Sequence, residues 1–205
     1  MTFAALAAGT ALLAAGCATA EAGSAAVVGD TTIRESSIAA QVRELNEATG
    51  KPVTAPNAPV TLSLVNYNVL YELVNQAAAE AGVSVPPGAV DKAYGEIEEQ
   101  AGGEEQLLQL ATQQGIPPGN IRRDIEVQLT AGALANKIAP GLGQQEQQQA
   151  LLESLGSFSE DVGVDVAPKY GSWNAAALQI GPPEDPVSKR VEPVMPNGIT
   201  ELPGQ

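Results

Sequence analysis

A chain of 205 residues carrying 24 Asp and Glu against ten Lys and Arg, for a formal charge of −14, lacks the cations that displace counterions from a phosphate backbone. No nucleic acid is expected as a partner, and a bare anionic bilayer surface is equally unsuited. With no histidine and a single cysteine, Ser-His-Asp and Cys-His nucleophile pairs, most zinc sites, an internal disulfide and any multi-thiolate cluster are excluded, so neither a metal nor a cofactor is expected.

Residues 1–16, "MTFAALAAGTALLAAG", are uncharged and almost wholly small or apolar, too short to span a hydrocarbon layer of about 30 Å and fitted to the h-region of an export signal. The run ends in "LLAAGC", which is similar to the lipobox of bacterial lipoproteins, with Ala14 three residues before Cys17 and Leu13 one further out. That resemblance implies a thioether-linked lipid on Cys17 and a mature chain tethered by residues 17–24 to the outer face of the cell membrane. Several acyl chains hold where one is marginal.

Ala26-Val27-Val28, Gly29-Asp30 and Thr31-Thr32-Ile33 read as a β-hairpin, β-branched residues flanking a Gly-first turn of type II′. Such a ribbon is marginal alone and must be covered or extended by another part of the chain. Thr32-Ile33-Arg34-Glu35 fits a capping box and predicts a helix beginning there, with Ile38, Val42 and Leu45 on one stripe and Gly50 as its left-handed cap. The "KPVTAPNAP" segment is a connector. Thr61 to Ala81 predicts a helix with two apolar lines, Leu62-Val65-Val69-Leu73 and Leu64-Tyr67-Tyr71-Val74, leaving Asn68, Glu72 and Asn75 as a narrow polar strip. It is expected at the centre of the domain.

Three further helices have clear punctuation. "VPPGAVDKAYGEIEEQAGG" ends at Gly102-Gly103, "EEQLLQLATQQG" stops at Gly115, and "IPPGNIRRDIEVQLTAGALANKIAPG" presents Ile121, Ile125, Leu129, Leu134 and Ile138 before Pro140. A shorter helix comes next in "QQEQQQALLESLGSF". The period then changes to two in "DVGVDVAPKYGSW", where Val162, Val164 and Val166 alternate as in a half-buried strand. This strand is the expected partner of the opening hairpin. The fold class is therefore mainly α, a multi-helix orthogonal bundle over residues 25–180 with a small β-sheet joining the N-terminal hairpin to a C-terminal strand. Residues 181–205, with six prolines and no periodicity, predict a disordered tail.

The order of strand-turn-strand, helix, "NVLYELVNQAAAEAGVSV", "LATQQGIPPGNIRRDIEVQL" and finally "VDVAPKYGSW" resembles the N-terminal domain of SurA-type and PrsA-type extracytoplasmic foldases. The resemblance implies a chaperone-like binder of unfolded or exported polypeptides. In that family a parvulin-type isomerase often sits between the last helix and the returning strand. Here about twenty residues separate Pro140 from Glu160 and no histidine is present, which removes that chemistry.

Tyr67 and Tyr71, one turn apart, can line a groove for unfolded peptide or pack in the core; Leu107, Leu108 and Leu110 occupy more than one face of a short helix, and Leu107 and Leu110 join the tyrosines as client-binding candidates. Trp173 is expected as a lid on the small sheet. The carboxylates Glu96, Glu98, Glu99, Glu104 and Glu105 lack calcium-loop spacing and read as a solvated helix end, and Arg122-Arg123 as cations satisfied by the adjacent Asp124 and Glu126. A binding protein is expected rather than an enzyme. Alternatives are an envelope lipoprotein docking one specific partner and a hydrolase using two carboxylates.

Overall fold

The computed structural model describes residues 22–182. The expected leader, the expected lipid site Cys17 and the expected tail from residue 183 onward lie outside them. Strand β1 (Ser24–Val28) turns at Gly29-Asp30 into β2 (Thr31–Arg34), and Gly29 at φ +55 supplies the left-handed position that the tight turn requires. Helices α1 (Glu35–Ala48), α2 (Ala58–Glu80), α3 (Pro87–Ala101) and α4 (Glu104–Gln113) come next. A 3-10 turn at Pro118–Asn120 leads into α5 (Ile121–Ile138) and then α6 (Gln144–Val162). Three short strands close the order, β3 (Val164–Val166), β4 (Ser172–Asn174) and β5 (Gln179–Gly181).

The fold is mainly helical with a small antiparallel sheet built from both ends of the described chain. Its strand order is β2-β1-β3: Ala26, Val27 and Val28 pair with Val166, Asp165 and Val164 on one side and with Ile33, Thr32 and Thr31 on the other. The ladder continues past the strands, Gly29 N donating to Gly163 O at 2.9 Å and Ala167 N to Ala25 O at 3.0 Å. The hairpin, too small to stand alone, is thus extended by the returning strand and floored by α2. Gln76 Nε2 of that helix donates to Val28 O at 3.1 Å and to Thr31 Oγ1 at 3.3 Å.

Three clusters make the core. The first joins the sheet to α1 and α2 through Val28, Ile38, Val65, Val69 and Leu73; the second joins α2, α5 and α6 through Val74, Leu134 and Leu155; the third, of Leu107, Ala111, Ile121 and Ile125, holds α3 and α4 against α5. Helix α2 takes part in two of them, Leu64, Val65, Val69 and Leu73 in the first and Val74, Ala77 and Ala78 in the second, whereas Leu62, Tyr67 and Tyr71 of the two expected apolar lines join neither.

Several boundaries differ from the sequence reading. The capping box at Thr32–Glu35 does not form, because β2 runs through Arg34 and the ladder takes those donors; Glu35 N donates to Gly23 O at 2.9 Å, and α1 starts without a side-chain cap. Helix α2 begins earlier, at Ala58, where the Asn57 side chain accepts from Val60 N. Helix α6 runs to Val162, since Leu151, Leu155, Phe158 and Val162 carry one apolar stripe onto the core. Gly163 at φ +79 then breaks it. Val162 therefore belongs to a helix, and the strand proper is only Val164–Val166. The hairpin β4–β5 is an addition to the expected elements, and Trp173 within it seals α6 as well as the sheet, its Nε1 donating to Ser159 Oγ at 3.1 Å.

Candidate functional site

An open groove lies between α1, the connector 51–57, the start of α2 and the Lys169-Tyr170 turn. Its volume is about 700 Å³, and Ile38, Val42, Val53, Pro56, Leu62 and Tyr170 give it an apolar lining. A turn closed by Ala55 N donating to Pro52 O at 2.8 Å shapes the connector, and Asn46, 1% exposed, pins it by donating from Nδ2 to Ala55 O at 3.0 Å. Val53 at 45% and Leu62 at 37% exposure leave large apolar side chains facing water. Glu35 accepts from Lys169 Nζ at 2.6 Å on the rim, and that hydrogen bond holds the ammonium above its ordinary pKa. The carboxylate predicted to cap a helix instead fixes one edge of the groove.

Smaller depressions adjoin this groove through shared residues. Leu62, Ser63 and Tyr67 face Gln179 and Ile180 of β5 across about 430 Å³. Ser63 and Tyr67 also face Gln114–Pro117 across about 130 Å³, and Gln114 and Ile116 in turn border a depression of about 380 Å³ with Ile97, Leu107 and Leu110. Three of the four predicted contact residues therefore line neighbouring hollows. Leu107, only 5% exposed, forms floor and core, whereas Leu110 at 46% is open.

Tyr71 is engaged elsewhere. Its ring stacks on the Arg123 guanidinium at 3.6 Å and its hydroxyl donates to Glu126 Oε2 at 3.3 Å. Arg123 Nη1 donates to Asn68 Oδ1 at 2.7 Å, and Glu72 lies 3.9 Å from its other nitrogen. Asn68, expected on a polar strip, is buried and bonded also to Gln41 of α1. Arg122 pairs with Asp91 and stacks on Tyr94 at 4.3 Å. The partners of both arginines thus come from α2 and α3, not from Asp124 and Glu126: Asp124 is one or two residues away on the helix and does not face them, while Glu126, on their face, accepts from the Tyr71 hydroxyl. The Tyr67 hydroxyl makes only a long polar contact toward the Asp124 carboxylate, short of hydrogen-bond geometry. Burial first, then that carboxylate's charge, holds it above the usual phenol range. Burial likewise raises Asp124, against a hydrogen bond from Gln128.

The acidic residues Glu96, Glu99, Glu104 and Glu105 are exposed and Glu98 is half-buried, Glu96 pairing with Lys92 at 3.6 Å. Among the described residues no group of His, Cys, Asp and Glu is arranged to hold a metal ion, and no helix is long and apolar enough to cross a membrane. The groove is not among the features expected from sequence, since Leu62 falls on a line expected to be covered; Val53 set between prolines is the available signal. Comparison of the chain with protein-family models, with curated proteins and with solved structures finds no match.

Proposed function

We propose that this chain is a lipid-anchored extracytoplasmic holder of unfolded or exported polypeptides, without isomerase or other catalytic activity. The observation that carries the reading is the open apolar groove beside α2, with exposed Val53 and Leu62, continued by hollows that share Leu62, Ser63 and Tyr67. An extended segment presents alternating side chains over its length, so a row of shallow apolar hollows suits many sequences weakly where one deep pocket would suit a single ligand. The lipid on Cys17 would keep the body beside the site where translocated chains emerge.

Purified chain from residue 18 onward is expected to slow aggregation of several unrelated unfolded proteins at near-stoichiometric ratio. Val53→Asp with Leu62→Asp, both placed on exposed side chains, should remove most of that protection without lowering the melting temperature of the chain. Protection of no client, with tight capture of one envelope protein, would replace this reading with a specific docking role. The address is tested separately: mass measurement of the protein isolated from membranes should show an N-terminal Cys17 carrying acyl chains, and Cys17→Ala should release the protein from the membrane fraction.

A further inference from the structure

We propose that the C-terminal segment 183–205 of this same chain docks in cis in the groove between α1, the 51–57 connector and Tyr170, through its Val191–Pro196 stretch. The described chain leaves at Pro182, whose carbonyl accepts from Ser172 Oγ at 3.2 Å. Gly171 packs so closely on the outgoing backbone that a Cβ on it would stand 2.0 Å from Gly181 O. Tyr170, the next residue back, lines the groove. The chain therefore passes out at the groove's own edge, and residues 183–190 span up to roughly 25 Å as an extended polyproline helix, ample to bring residue 191 and its successors into it.

Those residues are Val191-Glu192-Pro193-Val194-Met195-Pro196, a P-x-x-P run. With three residues per turn, such a helix sets Val191 above Val194 and Pro193 above Pro196, two adjacent apolar edges, and it enters a groove with little conformational entropy left to lose. The groove offers aliphatic walls, one aromatic ring and a cationic rim. Arg43 on that rim is exposed and enters no ion pair among the described residues, which suits the carboxylate of Glu192 on the third edge. Linkage within one chain supplies an effective concentration of order 1 mM, so an intrinsic dissociation constant of about 0.1 mM already fills the groove in roughly nine molecules of ten. A client would have to displace the segment. The docking does not depend on the polypeptide-holding reading, since it concerns only two parts of one chain.

The test titrates a synthetic peptide of residues 183–205 into the chain ended at Pro182, which keeps every residue of the three core clusters, and into the full chain, tracking backbone amide resonances. Expected are shifts at residues 38–43, 53–62 and 170 in the shortened chain, and binding about tenfold weaker to the full chain, whose own segment competes. Val53→Asp in the protein, or Val194→Asp in the peptide should that variant misfold, should weaken binding at least tenfold. Equal affinity for the two chains, shifts confined to other surfaces, or identical groove resonances in the two free proteins would overturn the proposal. So would groove shifts in the full chain that grow with its concentration, which indicate docking on a second copy. The titration contains no client, so it can fail while suppression of aggregation stands, and the reverse.

Discussion

At 3% exposure the Asn68 side chain has no water to turn to, and its amide is used from both ends. The oxygen accepts from Arg123 Nη1 at 2.7 Å, while the nitrogen donates to Gln41 Oε1 at 3.1 Å and to Leu64 O at 2.7 Å. One residue of α2 thereby fixes the axial position of α1 and of α5. Arg123, its side chain 26% exposed, keeps Tyr71 stacked on it at 3.6 Å and Glu72 at 3.9 Å. Asn68→Ala should therefore leave chiefly Gln41, itself 7% exposed, short of a partner. A buried group stripped of its partner costs about 1–3 kcal/mol, so a loss of about 2 kcal/mol is expected in urea denaturation. A loss under about 1 kcal/mol would mean that water enters and takes the place of the amide.

At the level of elements, the two hairpins differ in how tightly their glycines are held. A Cβ on Gly29 would meet side-chain atoms, Val162 Cγ2 at 2.8 Å and Gln76 Oε1 at 3.2 Å; a Cβ on Gly171, at φ +123, would meet the backbone oxygen of Gly181 at 2.0 Å. Backbone cannot rotate away, so Gly171→Ala should split β4 from β5 and cost about 3 kcal/mol or more. Lost amide protection across residues 172–181 and a shift in fluorescence of the sole tryptophan, Trp173, would report it; an unchanged Trp173 environment would contradict this packing. The same hairpin shows why part of the architecture is hidden in the sequence. Its strands are three residues each and are joined by Ala175-Ala176-Ala177-Leu178, with no Gly, Pro or Asp, so that the one local turn signal is Asn174 at the end of β4, whose Oδ1 accepts from Ala177 N at 3.0 Å. Its left-handed position falls on Leu178 at φ +50, held there by burial of that side chain. By contrast, the Gly-Asp turn and the single stripe of α1 carry their geometry in local residue types. So do the glycines after α1, α3 and α4, and all of these are legible. The groove is not, for its walls come from α1, a connector and the Lys169-Tyr170 turn, which only the tertiary fold brings together.

For the molecule as a whole, the decisive feature is that strand β1 is central while its neighbours come from opposite ends of the described chain. Val28, fully buried, has β2 on one side and Val164 on the other, so the first cluster is complete only when the last strands have returned. Chain beyond Gly163 contributes Val166, Tyr170, Trp173 and Ile180 to that cluster, and Leu178 to the second. At about 1.5–3 kcal/mol for fully burying a large apolar side chain, the buried Val166 and Leu178 and the partly buried Tyr170, Trp173 and Ile180 together account for roughly 7 kcal/mol, comparable with the whole stability of an ordinary domain. A chain ended at Gly163 is therefore expected not to fold cooperatively although it keeps all six helices of the described residues, whereas a chain ended at Pro182 should melt within a few degrees of the full protein. Circular dichroism against temperature distinguishes the cases. Helical signal without a sharp transition is expected of the shorter chain, since helices that lose their packing surface retain only marginal local stability. A cooperative transition there, near that of the full chain, would show that the helices need no closing strand and that β3 is an appendage on a body already complete.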